Sequence, residues 1–129
     1  MIKRIDFIIY YEHVAREWKS VNRLKEELNK LGLKGVVLPM HFNKYLGLVT
    51  YIPKIIIVPY LYSVNNDQHL MYESIYGDIS ILNLHSEQLH DETTKSFQMP
   101  HDDYAAKAHH IAWGTVFSAA LIEAGVDED

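Results

Sequence analysis

Apolar positions along this chain follow two alternating rhythms. Residues 5–11 read IDFIIYY, a near-continuous apolar run of the kind carried by strands covered on both faces. From His13 the rhythm changes. Val14, Trp18, Val21, Leu24, Leu28 and Leu31 recur at spacings of three and four with charged residues between them, which predicts an amphipathic helix, and Gly32 supplies its stop. The alternation continues with a second strand over 33–40, a short helical or irregular stretch over 41–51 and a third strand over 55–58. A helix over 65–76 with Leu70, Met71 and Ile75 inward, closed by Gly77, leads to a fourth strand over 79–84. Residues 85–107 are polar and irregular. A fifth strand over 111–113 precedes a helix over 115–124, with Thr115 as its cap, Gly125 at its end and Phe117, Ala120, Leu121 and Ala124 on one apolar face. Pro39 and Pro59 lie near strand ends, where a missing backbone donor does least harm.

Strands alternating with helices predict right-handed crossovers and a parallel sheet between helical layers. The fold class expected is therefore α/β: one Rossmann-like, three-layer domain over residues 1–129, with a mostly parallel five-stranded sheet. The simplest strand order, 3-2-1-4-5 in chain order, sets the switch point between the first and fourth strands, and ligands are expected beyond their C-terminal ends.

Composition narrows the chemistry. The 129 residues are 48% hydrophobic and 22% charged, the balance of a folded globular domain. With no cysteine, the chain has no disulfide framework, thiolate zinc site or cysteine nucleophile, which suits a cytoplasmic location. Its apolar runs are far shorter than a bilayer span, and a net charge of −5 offers no basic stripe for nucleic acid. The first strand is followed by Tyr11, Glu12, His13, Val14 and Ala15, without the glycines a dinucleotide pyrophosphate requires. No nucleoside-triphosphate loop or Gly-x-Ser-x-Gly elbow is present, and the acidic strand ends of a receiver domain are missing. A metal-dependent hydrolase built on His85, His90, Asp91, His101 and Asp102 is the third choice, because their spacing specifies no convergent ligand geometry; the expectation is no metal.

Two loops carry the candidate site. Glu12 and His13 follow the first strand, and His85, Ser86, Glu87 and Gln88 follow the fourth. Carboxylate, imidazole, hydroxyl and amide groups on adjacent loops suit sugar hydroxyls, and a carboxylate or imidazole can act as general base. Glu12 is equally suited to stabilise the start of the following helix, whereas Glu87 has no evident structural task. Arg16 and Glu17, one turn into that helix, are placed to point back toward the same crevice, but as charges on a helix they are read first as solvating its exposed face.

Tyr11-Glu12 with Arg16-Glu17, then Val58-Pro59-Tyr60, the segment from Asn83 through His85, Ser86 and Glu87 to Gln88, His110-Ile111-Ala112-Trp113-Gly114, and the segment from Leu121 through Gly125 to Val126 form an ordered set of short motifs. In that order they resemble the N-terminal region of bacterial surface-carbohydrate (capsular polysaccharide) biosynthesis proteins, glycosyltransferases of the GT-B type. The resemblance spans nearly the whole chain. It implies the acceptor-side half of a two-domain enzyme and points to the segment Asn83 to Gln88 and to Glu12; together with the two loops this makes Glu87, His85 and Glu12 the catalytic candidates and Asn83, Ser86 and Gln88 substrate-binding ones, to which the loop and helix after the first strand add His13 and Arg16. It also implies a carbohydrate acceptor as partner and no cofactor in this chain. The nucleotide-sugar donor would be held by a C-terminal domain following Asp129. The alternative expectation is a stand-alone flavodoxin-like module that binds a ligand or a protein without catalysis.

Overall fold

The computed structural model describes residues 2–40, 50–60, 79–86, 108–112 and 114–127. Among them are seven strands and two helices: β1 (Lys3–Arg4), β2 (Phe7–Tyr11), α1 (Val14–Lys30), β3 (Gly35–Pro39), β4 (Tyr51–Ile52), β5 (Ile55–Val58), β6 (Ser80–Asn83), β7 (His109–His110) and α2 (Thr115–Glu123). The main sheet has five strands in the order β3-β2-β5-β6-β7, and every pairing is parallel. β1 and β4 form a separate parallel pair, which the apolar pattern does not announce. The expected helix over 65–76 lies outside the described residues.

The mixed α/β class and the parallel sheet agree with expectation. The strand order does not. In terms of the five expected strands it runs 2-1-3-4-5 rather than 3-2-1-4-5. β5 pairs with β2 through Phe7–Ile55, Ile8–Ile56 and Ile9–Ile57 and so separates β2 from β6. The reason lies in β5 itself. Ile56, Ile57 and Val58 are all at most 3% exposed, and a strand apolar on both faces buries more surface in the middle of a sheet than at its edge. The edge goes to β3, half-buried throughout and ending in Pro39, whose missing donor is harmless there. The last strand also begins earlier than 111–113: His109 and His110 pair with Leu82 and Asn83, and Ile111 is exposed.

Alternation along β2 divides the core. Phe7 and Ile9 face α1 with Val21 and Ile57, while Ile8 and Tyr10 face the other way with Met40, Ile56, Val58 and Ile81. At the opposite edge of the sheet from the strand C-termini, Asp6 ties three segments together. Its Oδ2 accepts the Lys34 N–H at 2.8 Å and its Oδ1 lies 3.4 Å from Lys54 Nζ, contacts that hold its carboxyl below the usual range, the backbone donor foremost.

Both helices end in the same way. Gly32 (φ 87°) donates to Asn29 O and Leu33 to Leu28 O; Gly125 (φ 105°) donates to Ile122 O and Val126 to Leu121 O. Each is a Schellman closure with glycine in the left-handed region. The start of α2 differs from expectation. Gly114, in extended conformation, occupies the cap position, and Thr115 is already the first helical residue.

Candidate functional site

The C-terminal edge of the sheet carries two groups of polar side chains, one on each side of β6. On the α1 side, Arg16, Glu17, Ser20, Val21 and Leu24 line an open cleft of about 430 Å³ whose far wall is Leu84 and Ser86. The cleft thus unites two residues expected at the site, Arg16 and Ser86. Its rim offers a guanidinium and hydroxyls, and Val21, Leu24 and Leu84 give it an apolar floor.

Glu17 is not a solvating residue. It is 6% exposed, and its carboxylate accepts the His13 N–H at 2.6 Å and the Glu12 N–H at 3.3 and 3.4 Å. These donors precede the first turn of α1, so the buried charge is met by the backbone and by the helix dipole. The role considered for Glu12 therefore belongs to Glu17, one turn later. Glu12 instead lies 3.4 Å from the exposed imidazole of His13. The sequence carries a signal for this: Glu17 stands at the three-four spacing that Val21, Leu24 and Leu28 continue.

On the other side of β6 lies an imidazole pair. Asn83 and His85 are 0% and 2% exposed. Asn83 Oδ1 accepts the His85 N–H at 3.0 Å, and His85 adopts φ 48°, a left-handed conformation unusual for a residue with a Cβ. Its Nε2 is 2.7 Å from His110 Nδ1, and the Phe117 ring of α2 meets it edge-on at 5.0 Å between centroids. Burial first, and the neighbouring His110 charge second, push the His85 imidazole down to about 3. With Asn83 Oδ1 engaged, Asn83 Nδ2 is buried without a hydrogen-bond partner among the described residues.

The expected crevice uniting Glu12 with His85 does not form as drawn, because β5 intervenes. Two strand spacings, about 10 Å, separate the ends of β2 and β6. Glu87 and Gln88 lie outside the described residues. His109 and His110 point to opposite faces of β7, as adjacent residues of an extended strand must, and His110 is the register partner of Asn83 on the same face.

Comparison of the chain with family models, curated proteins and solved structures finds no match. Chemistry at the sheet edge therefore carries the functional argument. Among the described residues, no helix is long and apolar enough to cross a membrane and no group of three or more potential ligands converges on a metal.

The neutrality of His85 has a measurable consequence. Unfolded, its imidazole takes up a proton below about 6.5, whereas the folded ring resists until about 3. Its contribution to stability is thus complete above pH 6.5 and lost progressively as pH falls toward 3. Thermal unfolding of wild type and His85→Asn across this range should show a gap that narrows with acidification; a gap independent of pH would refute a neutral His85.

Proposed function

We propose that this chain is the acceptor-side domain of a GT-B-type glycosyltransferase in bacterial surface-polysaccharide synthesis. In this reading it works in the cytoplasm with a C-terminal domain that holds the nucleotide-sugar. The observation that carries the reading is the cleft between α1 and the end of β6. Its volume is in the range of small-molecule sites. Hydroxyls of Ser20 and Ser86 and the Arg16 guanidinium suit the equatorial hydroxyls of a saccharide, and the floor of Val21, Leu24 and Leu84 suits its C–H face. The ordered motifs, from Tyr11-Glu12 to the helix before Gly125, support the same family. Donor recognition is assigned to the second domain because the sequence places no glycine-rich phosphate loop after any strand.

Calorimetric titration of the chain tests both parts. Acceptor saccharides should bind weakly, and Arg16→Ala or Ser86→Ala should each lower affinity about fivefold, the worth of one hydrogen bond near 1 kcal/mol. Uridine, thymidine, cytidine and guanosine sugar donors should bind the isolated chain poorly or not at all. Tight donor binding with no saccharide binding would overturn the assignment.

A second reading is favoured by one observation, the strand order β3-β2-β5-β6-β7, which is that of flavodoxin-like domains. On that reading the same cleft serves a stand-alone binding module. Sugar transfer by the chain joined to its C-terminal domain separates the two.

A further inference from the structure

The two walls of the cleft between α1 and the end of β6 repeat one arrangement. On α1, the exposed Ser20 stands at the rim, and Val21 and Leu24 lie in the floor beside it. On the far wall, Ser86 supplies the rim hydroxyl and Leu84 the floor. Val21, Leu24 and Leu84 all pack into the apolar cluster around Phe7 and Ile9, so carbon backs the floor. Glu17 also lines the cleft, but both of its carboxylate oxygens accept the N–H groups that precede α1, those of Glu12 and His13. A ligand seated here therefore meets hydroxyls along its outer edge and branched aliphatic side chains beneath. A hydroxyl pressed onto that floor would leave water without gaining a partner, whereas a methyl group would gain apolar contact at no such cost.

We propose that the cleft is selective for a 6-deoxyhexose, a sugar whose exocyclic carbon is a methyl group, seated on Val21, Leu24 and Leu84 with its ring hydroxyls toward Ser20 and Ser86. The inference rests on the sugar-acceptor reading above and names the substrate class of that same site. The shape of such a sugar matches the cleft. Its methyl projects from one end of the ring, and its hydroxyls spread along the other edge. An ordinary hexose carries a primary hydroxyl where the methyl would sit, and that oxygen would face only carbon. A uronic acid would bring a carboxylate to the same place, at a still larger desolvation cost. An N-acetylhexosamine also has a methyl group, but its amide N–H and carbonyl would enter the floor with it and meet no partner there. Val21, Leu24 and Leu84 are thus the residues that set specificity, and the two serines are the ones that orient the ring.

The test compares methyl glycosides in pairs that differ only in the exocyclic oxygen: glucose, galactose and mannose against their 6-deoxy counterparts, in both the D and L series. In the 129-residue chain labelled with ¹⁵N, the amide shifts of Ser20, Val21 and Ser86 measure affinity. In the tightest-binding pair the 6-deoxy member should bind about fivefold better, a modest factor for one unpartnered hydroxyl because the cleft is open to solvent. Its methyl should show nuclear Overhauser contacts to the methyl groups of Leu24 and Leu84, a readout that needs no variant to fold. Leu84→Thr sets a hydroxyl in the floor and should abolish the preference. Pairs that bind alike, a tighter 6-hydroxyl member, a preference that survives in Leu84→Thr, or N-acetylhexosamines that outbind every 6-deoxyhexose would each overturn the proposal while the acceptor reading stands. If no saccharide binds, the acceptor reading falls and the proposal with it.

Discussion

Gly35→Val should destabilise the domain by about 3 kcal/mol or more, a large share of the roughly 5–15 kcal/mol that holds a domain of this size together. Gly35 opens β3 as the register partner of Phe7, and a Cβ at this position would fall on the Phe7 ring and on its carbonyl oxygen. Neither can yield. The ring is 1% exposed within the cluster of Ile9, Val21 and Ile57, and the carbonyl belongs to the strand beside it. The cost therefore arises from overpacking at a rigid point, not from backbone conformation. Gly35→Ala should already cost about 1–3 kcal/mol. Two other glycines serve as controls. At Gly114, extended and with open space around it, alanine should be nearly neutral. At Gly32, where space is equally open but φ is 87°, alanine should cost about 1 kcal/mol through conformation alone. Urea unfolding at constant m-value measures all of these, and a Gly35→Ala midpoint equal to wild type would show that Phe7 can move aside.

That contrast bears on how much of the molecule is legible in its sequence. Strands apolar on both faces, such as IDFIIYY, and helices closed by Gly32 and Gly125 are read correctly because their cause is local: side-chain period and backbone handedness. Strand order is not local. It depends on which strand gains most from a central place, and the four consecutive apolar residues of β5 are the cue that was available. The stripe on α1 shows a subtler limit. Val14 and Trp18 fit a helical stripe, yet they are 60% and 45% exposed. The line that meets the sheet is Glu17, Val21, Leu24 and Leu28, one position round the helix. Trp18 instead rests edge-on against Tyr11, centroids 5.3 Å apart. Periodicity fixes the spacing of an apolar face but not its centre, and a carboxylate at that centre is ordinarily read as a surface charge. At the site, Arg16 is legible from its place in the first turn of the first helix and Ser86 from the loop after the fourth strand. The His85–His110 pair was not, because it joins residues 25 positions apart through the pairing of β6 with β7.

Glu17→Ala should therefore cost far more than an exposed helical glutamate, about 2 kcal/mol. Two donors, the N–H groups of Glu12 and His13, lose their acceptor at a partly buried turn, and the first turn of α1 loses a negative charge where the dipole favours one. Alanine's higher helix propensity recovers only a few tenths of a kcal/mol. Glu17→Gln isolates the contributions. Its amide oxygen can still accept the His13 N–H, so what it loses is mainly charge, about 0.5–1 kcal/mol. The functional consequence follows from geometry. Glu17 fixes the turn that carries Arg16 and Ser20 to the cleft, so on the proposed acceptor reading loosening it should weaken binding in the cleft even though its carboxylate is already committed to the backbone. The informative comparison sets Arg16→Ala beside Glu17→Ala. Both should lower affinity, but only Glu17→Ala should also lower the unfolding midpoint and speed amide exchange at Glu12 and His13. Unchanged exchange at those two amides would show that the carboxylate does not hold the turn, and the buried charge would then need another explanation.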